Sequence, residues 1–139
     1  MHGYDRLYVA FLYYFNDQRD YFECHEVMEE LWLEEGRNPL YQGLLQIAVG
    51  LYHHGNGNPS GSIKLFTAGL EKLAPYPERI LGINLGRLVK DSEVYVGKLL
   101  NLAEAPFLPY DLDIEIVEQE LMDLLDELRL DPPQVEEHS

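Results

Sequence analysis

The chain has 139 residues, with 25 acidic against 10 basic side chains, a formal charge of -15 and one cysteine, Cys24, which has no internal partner for a disulfide. Such a charge repels phosphate backbones, and the Lys and Arg residues are scattered singly, which argues against nucleic-acid binding. The length suits one ordinary domain, no apolar run reaches the roughly 18 to 20 residues of a membrane span, and a lone thiol behind no export leader is the pattern expected of a cytoplasmic protein.

The first segment, about Tyr4 to Phe15, is rich in aromatic residues and ends in the polar stretch Asn16-Asp17-Gln18. Its apolar run has neither a basic leader nor a small-residue cleavage site, so it is expected to belong to the fold. A second helix is predicted from an Asp20 N-cap to Glu35, with Gly36 as its stop. Asn38-Pro39 and Asn58-Pro59 then repeat one device: asparagine caps, and proline takes the first helical position, where no N–H is needed. Helices are therefore expected over Pro39 to His54 and Pro59 to Leu73, joined through Gly55-Asn56-Gly57 into an antiparallel hairpin.

Pro75 and Pro77 punctuate the next stretch, and a fifth helix is predicted over about Arg79 to Ala103, weakened at its start by Gly82 and Gly86. Pro106 and Pro109 bracket a connector. Asp113 is read as the cap of a last helix, in which Ile114, Val117, Leu121, Leu124, Leu125 and Leu128 recur at helical spacing. No period-two strand is recognised. The expected architecture is all-α: one domain over 1–131, a bundle of about five to six helices around a central buried hairpin, with 132–139 as a frayed acidic tail. From Glu104 onward, twelve acidic residues face one cation, Arg129, as suits a solvated face.

The second helix carries the candidate site. With His25 set at zero and about 100° per residue, Trp32, Glu29, Tyr21, Met28 and Phe22 fall within about 60° of it, whereas Glu23, Glu26, Glu30 and Glu34 fall on the opposite side. His25 and Glu29 are thus expected inside an apolar face. The third helix is apolar on nearly its whole circumference, yet Gln42, Gln46 and His53 share an arc about 40° wide, with Gly43 and Gly50 beside it to let a neighbouring helix approach. Buried polar groups need partners, so the two stripes are expected to face each other.

The run FND..DYFECHEVMEELW, with an H-x-x-x-E-x-x-W core at His25, Glu29 and Trp32, together with YQGLLQIAVGLYHHGNGNPSGSIKLF, resembles the family catalogued as domain of unknown function number 309. The likeness spans roughly Asn16 to Leu73. It implies an all-helical fold and a polar cluster on these helices, and it implies no activity.

Several functions fit such a cluster. His25, Glu29, Trp32, Gln42, Gln46 and His53 could form a structural network or line a cleft for a small-molecule ligand, with Trp32 and Tyr52 as walls. A general-base hydrolase could use the imidazole–carboxylate pair, although no nucleophile stands at a matching spacing. His25-Glu26-Val27-Met28-Glu29 also resembles a zincin motif that lacks its second histidine, with His53 or His54 as the only third ligand on offer; no metal or other cofactor is therefore expected. A loose tetratricopeptide likeness over the hairpin suggests an interaction scaffold, but one unit cannot make an array. The apolar stripe of the last helix leaves room for a homo-oligomer seam, and Cys24 is expected in the core.

Overall fold

The computed structural model describes residues 3–133, so His2 and the greater part of the expected tail lie outside the described residues. Six helices form an all-α bundle: α1 (Arg6–Tyr13), α2 (Tyr21–Glu34), α3 (Pro39–Gly55), α4 (Pro59–Leu73), α5 (Leu85–Leu100) and α6 (Gln119–Leu130). Among the described residues no helix is long and apolar enough to cross a membrane.

The caps follow the expected chemistry. Asp20 accepts from the Glu23 N–H, Asn38 from Leu40 and Asn58 from Gly61, and a proline opens both α3 and α4. α1 starts on Asp5 and runs into a wider turn over Tyr14–Gln18, which closes at Arg19 in the left-handed region, φ 55°. That wider turn re-aims the chain into α2. Gly36 (φ 68°) ends α2.

The α3–α4 hairpin is the most closely packed pair. A Cβ added at Gly43 would come within 2.7 Å of the Leu73 side chain, and one at Gly50 within 2.7 Å of the Phe66 ring, so both glycines admit α4 to the α3 backbone. The buried Ser62 hydroxyl donates to the Gly50 carbonyl at 2.6 Å and fixes the register of the two helices. Around this pair the core collects Tyr8, Phe11, Leu12 and Phe15 of the N-terminal segment, Cys24, Met28 and Leu31 of α2, Leu88, Tyr95 and Leu99 of α5, and Leu121 and Leu125 of α6.

Two sequence expectations need correction. The fifth helix begins at Leu85 instead of Arg79, because 79–84 make a two-stranded antiparallel hairpin, β1 (Arg79–Ile80) and β2 (Ile83–Asn84), turned at Leu81 (φ 52°) and Gly82 (φ 74°). Asn84 then caps α5 by accepting from the Arg87 N–H. The last helix starts at Gln119, and Asp113 does not cap it.

Residues 111–116 read D-L-D-I-E-I and alternate: Leu112 and Ile114 are buried while Asp111 and Asp113 are exposed. This is period-two patterning, obscured because Ile114 and Val117 also fall on a helical spacing with Leu121. The segment forms an extended strap. Ile116 bridges Ile83, the Val117 N–H donates to the Gly82 carbonyl, and the Asn16 side chain both donates to and accepts from the Ile114 backbone, at 2.8 and 2.9 Å. Arg19 donates to the Leu112 carbonyl and pairs with Asp113, while the Tyr21 hydroxyl donates to Asp111.

Candidate functional site

α2 presents a different face to the core from the one expected. Cys24, Met28 and Leu31 are fully buried, and they centre on a direction about 100° away from His25. The His25 side chain is 38% exposed and that of Glu29 is 49% exposed, whereas Glu23, assigned to the wet side, is buried at 8%. The large aromatic residues misled the periodicity. Phe22 lies at 38% exposure, so the smaller Cys24 and Leu31 define the inner face instead.

His25 and Glu29 do meet. One turn apart on α2, His25 Nε2 lies 3.3 Å from the Glu29 carboxylate, and Nδ1 lies 3.4 Å from that of Glu26. The imidazole is therefore held between two carboxylates at the surface. Beside it, His25, Glu29 and Trp32 of α2, Gln42, Leu45, Gln46 and Val49 of α3, and Leu65 of α4 line a cleft of about 190 Å³. Five of the six candidates converge there. His53 does not: its Nδ1 lies 3.4 Å from the Asn58 amide nitrogen and its ring packs edge-on against Tyr52.

The cleft is polar without being satisfied. Among the described residues no hydrogen bond joins Gln42 or Gln46 to His25 or Glu29, so the stripes share a cavity and do not bond across it. The Trp32 indole N–H and the Gln46 amide oxygen are both shielded from solvent and have no partner. Each such atom costs on the order of 1–3 kcal/mol, so the two behind the cleft are a concession of stability. The Arg37 guanidinium sits over the Trp32 ring, 5.2 Å from its centroid, and helps to fix the indole in place.

A second polar cluster lies further along α3. His54 is 7% exposed, its Nδ1 is 2.5 Å from the Tyr95 hydroxyl of α5, and Phe66, Phe107 and Tyr110 enclose the pair. Burial holds the His54 pKa below its ordinary value and pushes that of Tyr95 up to about 12. Both rings are thus neutral near pH 7 and share one hydrogen bond, whose donor is set by the His54 tautomer. Sequence reasoning weighed His54 only as a metal ligand, because its partner stands 41 residues away and no local period connects them.

With His54 bonded to Tyr95 and His53 beside Asn58, neither supplies a third ligand next to His25 and Glu29. Among the described residues no group of three His, Cys, Asp or Glu side chains is placed to hold a metal ion. Cys24 is fully buried beneath the Phe11 carbonyl, and burial raises its pKa well above the usual thiol value, so it is no ready nucleophile.

Relatives can be set beside this geometry. Over 92 residues the chain is 37% identical to the uncharacterized protein YpuF of Bacillus subtilis (strain 168), a stretch that covers 63% of this chain and 53% of that protein. Over 99 residues it is 29% identical to an uncharacterized protein of Aquifex aeolicus (strain VF5), covering 69% of this chain and 29% of that one. The chain thus spans about half the length of the first relative and under a third of the second. No solved structure matches. The five cleft residues His25, Glu29, Trp32, Gln42 and Gln46 all fall inside the stretch, residues 8–65, over which the chain matches the family described as Domain of unknown function (DUF309).

Proposed function

We propose that the protein binds a small ligand in the cleft between α2, α3 and α4. The observation that carries this reading is the convergence of the half-exposed His25 and Glu29 with Trp32, Gln42 and Gln46 on one cleft that Leu45, Val49 and Leu65 complete. A network kept only for stability would pair its buried members. A cleft that combines apolar walls with a few convergent polar side chains is the form that small-ligand sites take.

Catalysis ranks second within the same site. His25 between Glu26 and Glu29 has the geometry of an oriented imidazole, and a general base would need it open to substrate, as it is. No serine, threonine or cysteine lines the cleft, so any reaction there would use water or a group of the ligand. The tetratricopeptide-like scaffold has only the α3–α4 hairpin to support it, and a single hairpin offers no stacked concave surface. The lone buried thiol fits a cytoplasmic setting.

Trp32 is the only tryptophan, so its indole N–H gives one resolved reporter in the cleft wall. A fragment library of mixed chemistry, titrated into isotope-labelled protein, should yield ligands that shift the Trp32 indole together with the Gln42 and Gln46 side-chain amides. Ligands that gather only at the larger cleft of about 490 Å³ near Tyr52 and Tyr110, or none that touch the indole, would overturn the reading.

A further inference from the structure

We infer that a second site, the cleft of about 490 Å³ between the start of α2, the end of α3 and residues 109–111, takes a small quaternary ammonium ion. It shares no lining residue with the cleft at Trp32, so the two assignments stand or fall separately. Its wall is aromatic: Phe22, Tyr52 and Tyr110, three large rings open to solvent, line it together. Phe22 of α2 and Tyr52 of α3 stand with ring centroids 6.1 Å apart and planes inclined at 47°. Exposed rings gathered on one concave surface mark a binding groove, and here a ligand touches them directly.

Charge selects the class. The lining carries Asp20 and Asp111 against one cation, Arg19. The Arg19 guanidinium is already engaged: it donates to the Leu112 carbonyl, pairs with Asp113 and lies 4.0 Å from Asp111. One cation thus faces three carboxylates, in a chain of formal charge -15. An aromatic face attracts a cation through its quadrupole, and the molecule supplies its own example, since Lys98 Nζ lies over the Tyr110 ring, 4.5 Å from its centroid. With Tyr110 serving Lys98, which does not itself line the cleft, the incoming cation is assigned to Phe22 and Tyr52.

The alternatives fit less well. An anion would meet Asp20 and Asp111 with the one guanidinium already taken. A small hydrated cation brings no apolar surface to set against the rings. A methylated ammonium brings both the charge and the methyl groups, whereas a neutral ligand of the same shape gains the ring contact alone.

Choline, its neutral isostere 3,3-dimethyl-1-butanol and the anion 3,3-dimethylbutanoate present nearly one shape and differ in charge. Each is titrated into isotope-labelled protein and read at the Gly55 backbone amide and the Asn56 side-chain amide, which line the cleft. Choline is expected to shift both and to bind about fivefold tighter than the neutral isostere, with the anion weaker still. Asp20→Asn keeps a good helix cap and removes a charge, so it should weaken choline about threefold and leave the neutral isostere unchanged. Tyr52→Leu should weaken choline about fivefold, with unfolding measured alongside to establish that the variant is folded. Phosphocholine sets a phosphate beside the same cation, as a lipid headgroup does, and is expected to bind less tightly because the phosphate meets Asp20 and Asp111. Binding of the isostere or the anion as tight as that of choline, or choline binding indifferent to both substitutions, would overturn the assignment. Silence of Gly55 and Asn56 toward choline would do the same. Phosphocholine binding as tightly as choline would overturn the free cation in favour of a headgroup.

Discussion

The two polar clusters along α3 differ in every respect that matters to function. At His54 the imidazole, the Tyr95 hydroxyl and three further aromatic rings form a dry unit in which the donor and acceptor are matched. At His25 the imidazole is half-exposed, its carboxylate neighbours face water, and the atoms that are buried, on Trp32 and Gln46, lack partners. A matched buried pair stabilises the fold, whereas unmatched groups around a cavity cost stability and are informative for that reason. The contrast marks the first cluster as a matched structural pair and supports the binding role proposed for the second.

The largest expected effect breaks the structural half of this comparison. His54→Ala removes a ring packed against Tyr95 and Phe107 and takes from the Tyr95 hydroxyl its side-chain partner, and should cost about 2–4 kcal/mol in denaturant unfolding. A cost below about 1 kcal/mol would mean that the cluster is not the keystone that its burial indicates.

Tyr95→Phe is finer, because the ring remains and only the hydroxyl goes. His54 Nδ1 then loses its partner in a buried setting, which should cost about 1–2 kcal/mol. The same pair predicts a pH dependence. Burial lowers the folded-state pKa of His54 below the unfolded value of about 6.5, so the unfolded chain takes up the proton first as pH falls. Stability linked to His54 is therefore fully present above about pH 6.5 and declines as pH drops toward the folded-state pKa. The charged groups nearby are Lys98, placed over the Phe107 and Tyr110 rings, and Asp111. Subtracting the stability–pH curve of His54→Gln from that of the wild type isolates the imidazole from the many carboxylates. A flat difference between pH 5 and 7 would contradict the assignment.

The same contrast shows what could be read in the chain and what could not. The caps at Asp20, Asn38 and Asn58 and the prolines that follow two of them were legible because capping is local chemistry. The strap was not, since its residues satisfy a helical and an alternating pattern at once; its pairing with Asn16, Gly82 and Ile83 is settled by distant contacts. In the site, the stripes expected to face each other place His25, Glu29, Gln42 and Gln46 on one cleft without bonds across it, and His53 lies outside it. A helix period gives directions around an axis and says nothing of where neighbouring helices stop. Glu29 is left half-exposed, whereas Glu23 is covered beside Tyr14 and α1, where burial and then the Glu23 charge raise the tyrosine pKa.

The binding half of the comparison predicts an effect of opposite sign. Gln46→Met deletes the unmatched acceptor with little change in volume, and should leave stability unchanged or raise it by about 1 kcal/mol while weakening ligand binding. A loss of more than about 1 kcal/mol would show that the Gln46 amide is engaged in holding the fold.

The smallest expected effect is the sharpest test of how α2 is oriented. Glu29→Gln keeps the length and planarity of the side chain and removes its charge, and the sequence alone led us to expect a buried, charge-assisted partner whose loss is measurable. With its side chain 49% exposed and 3.3 Å from a His25 ring that is itself 38% exposed, Glu29 makes a surface contact of the kind worth well under 1 kcal/mol. Glu29→Gln should therefore stay within about 0.5 kcal/mol of the wild type and match the exposed control Glu30→Gln in parallel unfolding. A penalty for Glu29→Gln that exceeds the control by more than about 1 kcal/mol would mean that the carboxylate is drawn inward in solution. The cleft would then be a closed network like that at His54, and the difference between the two clusters would disappear.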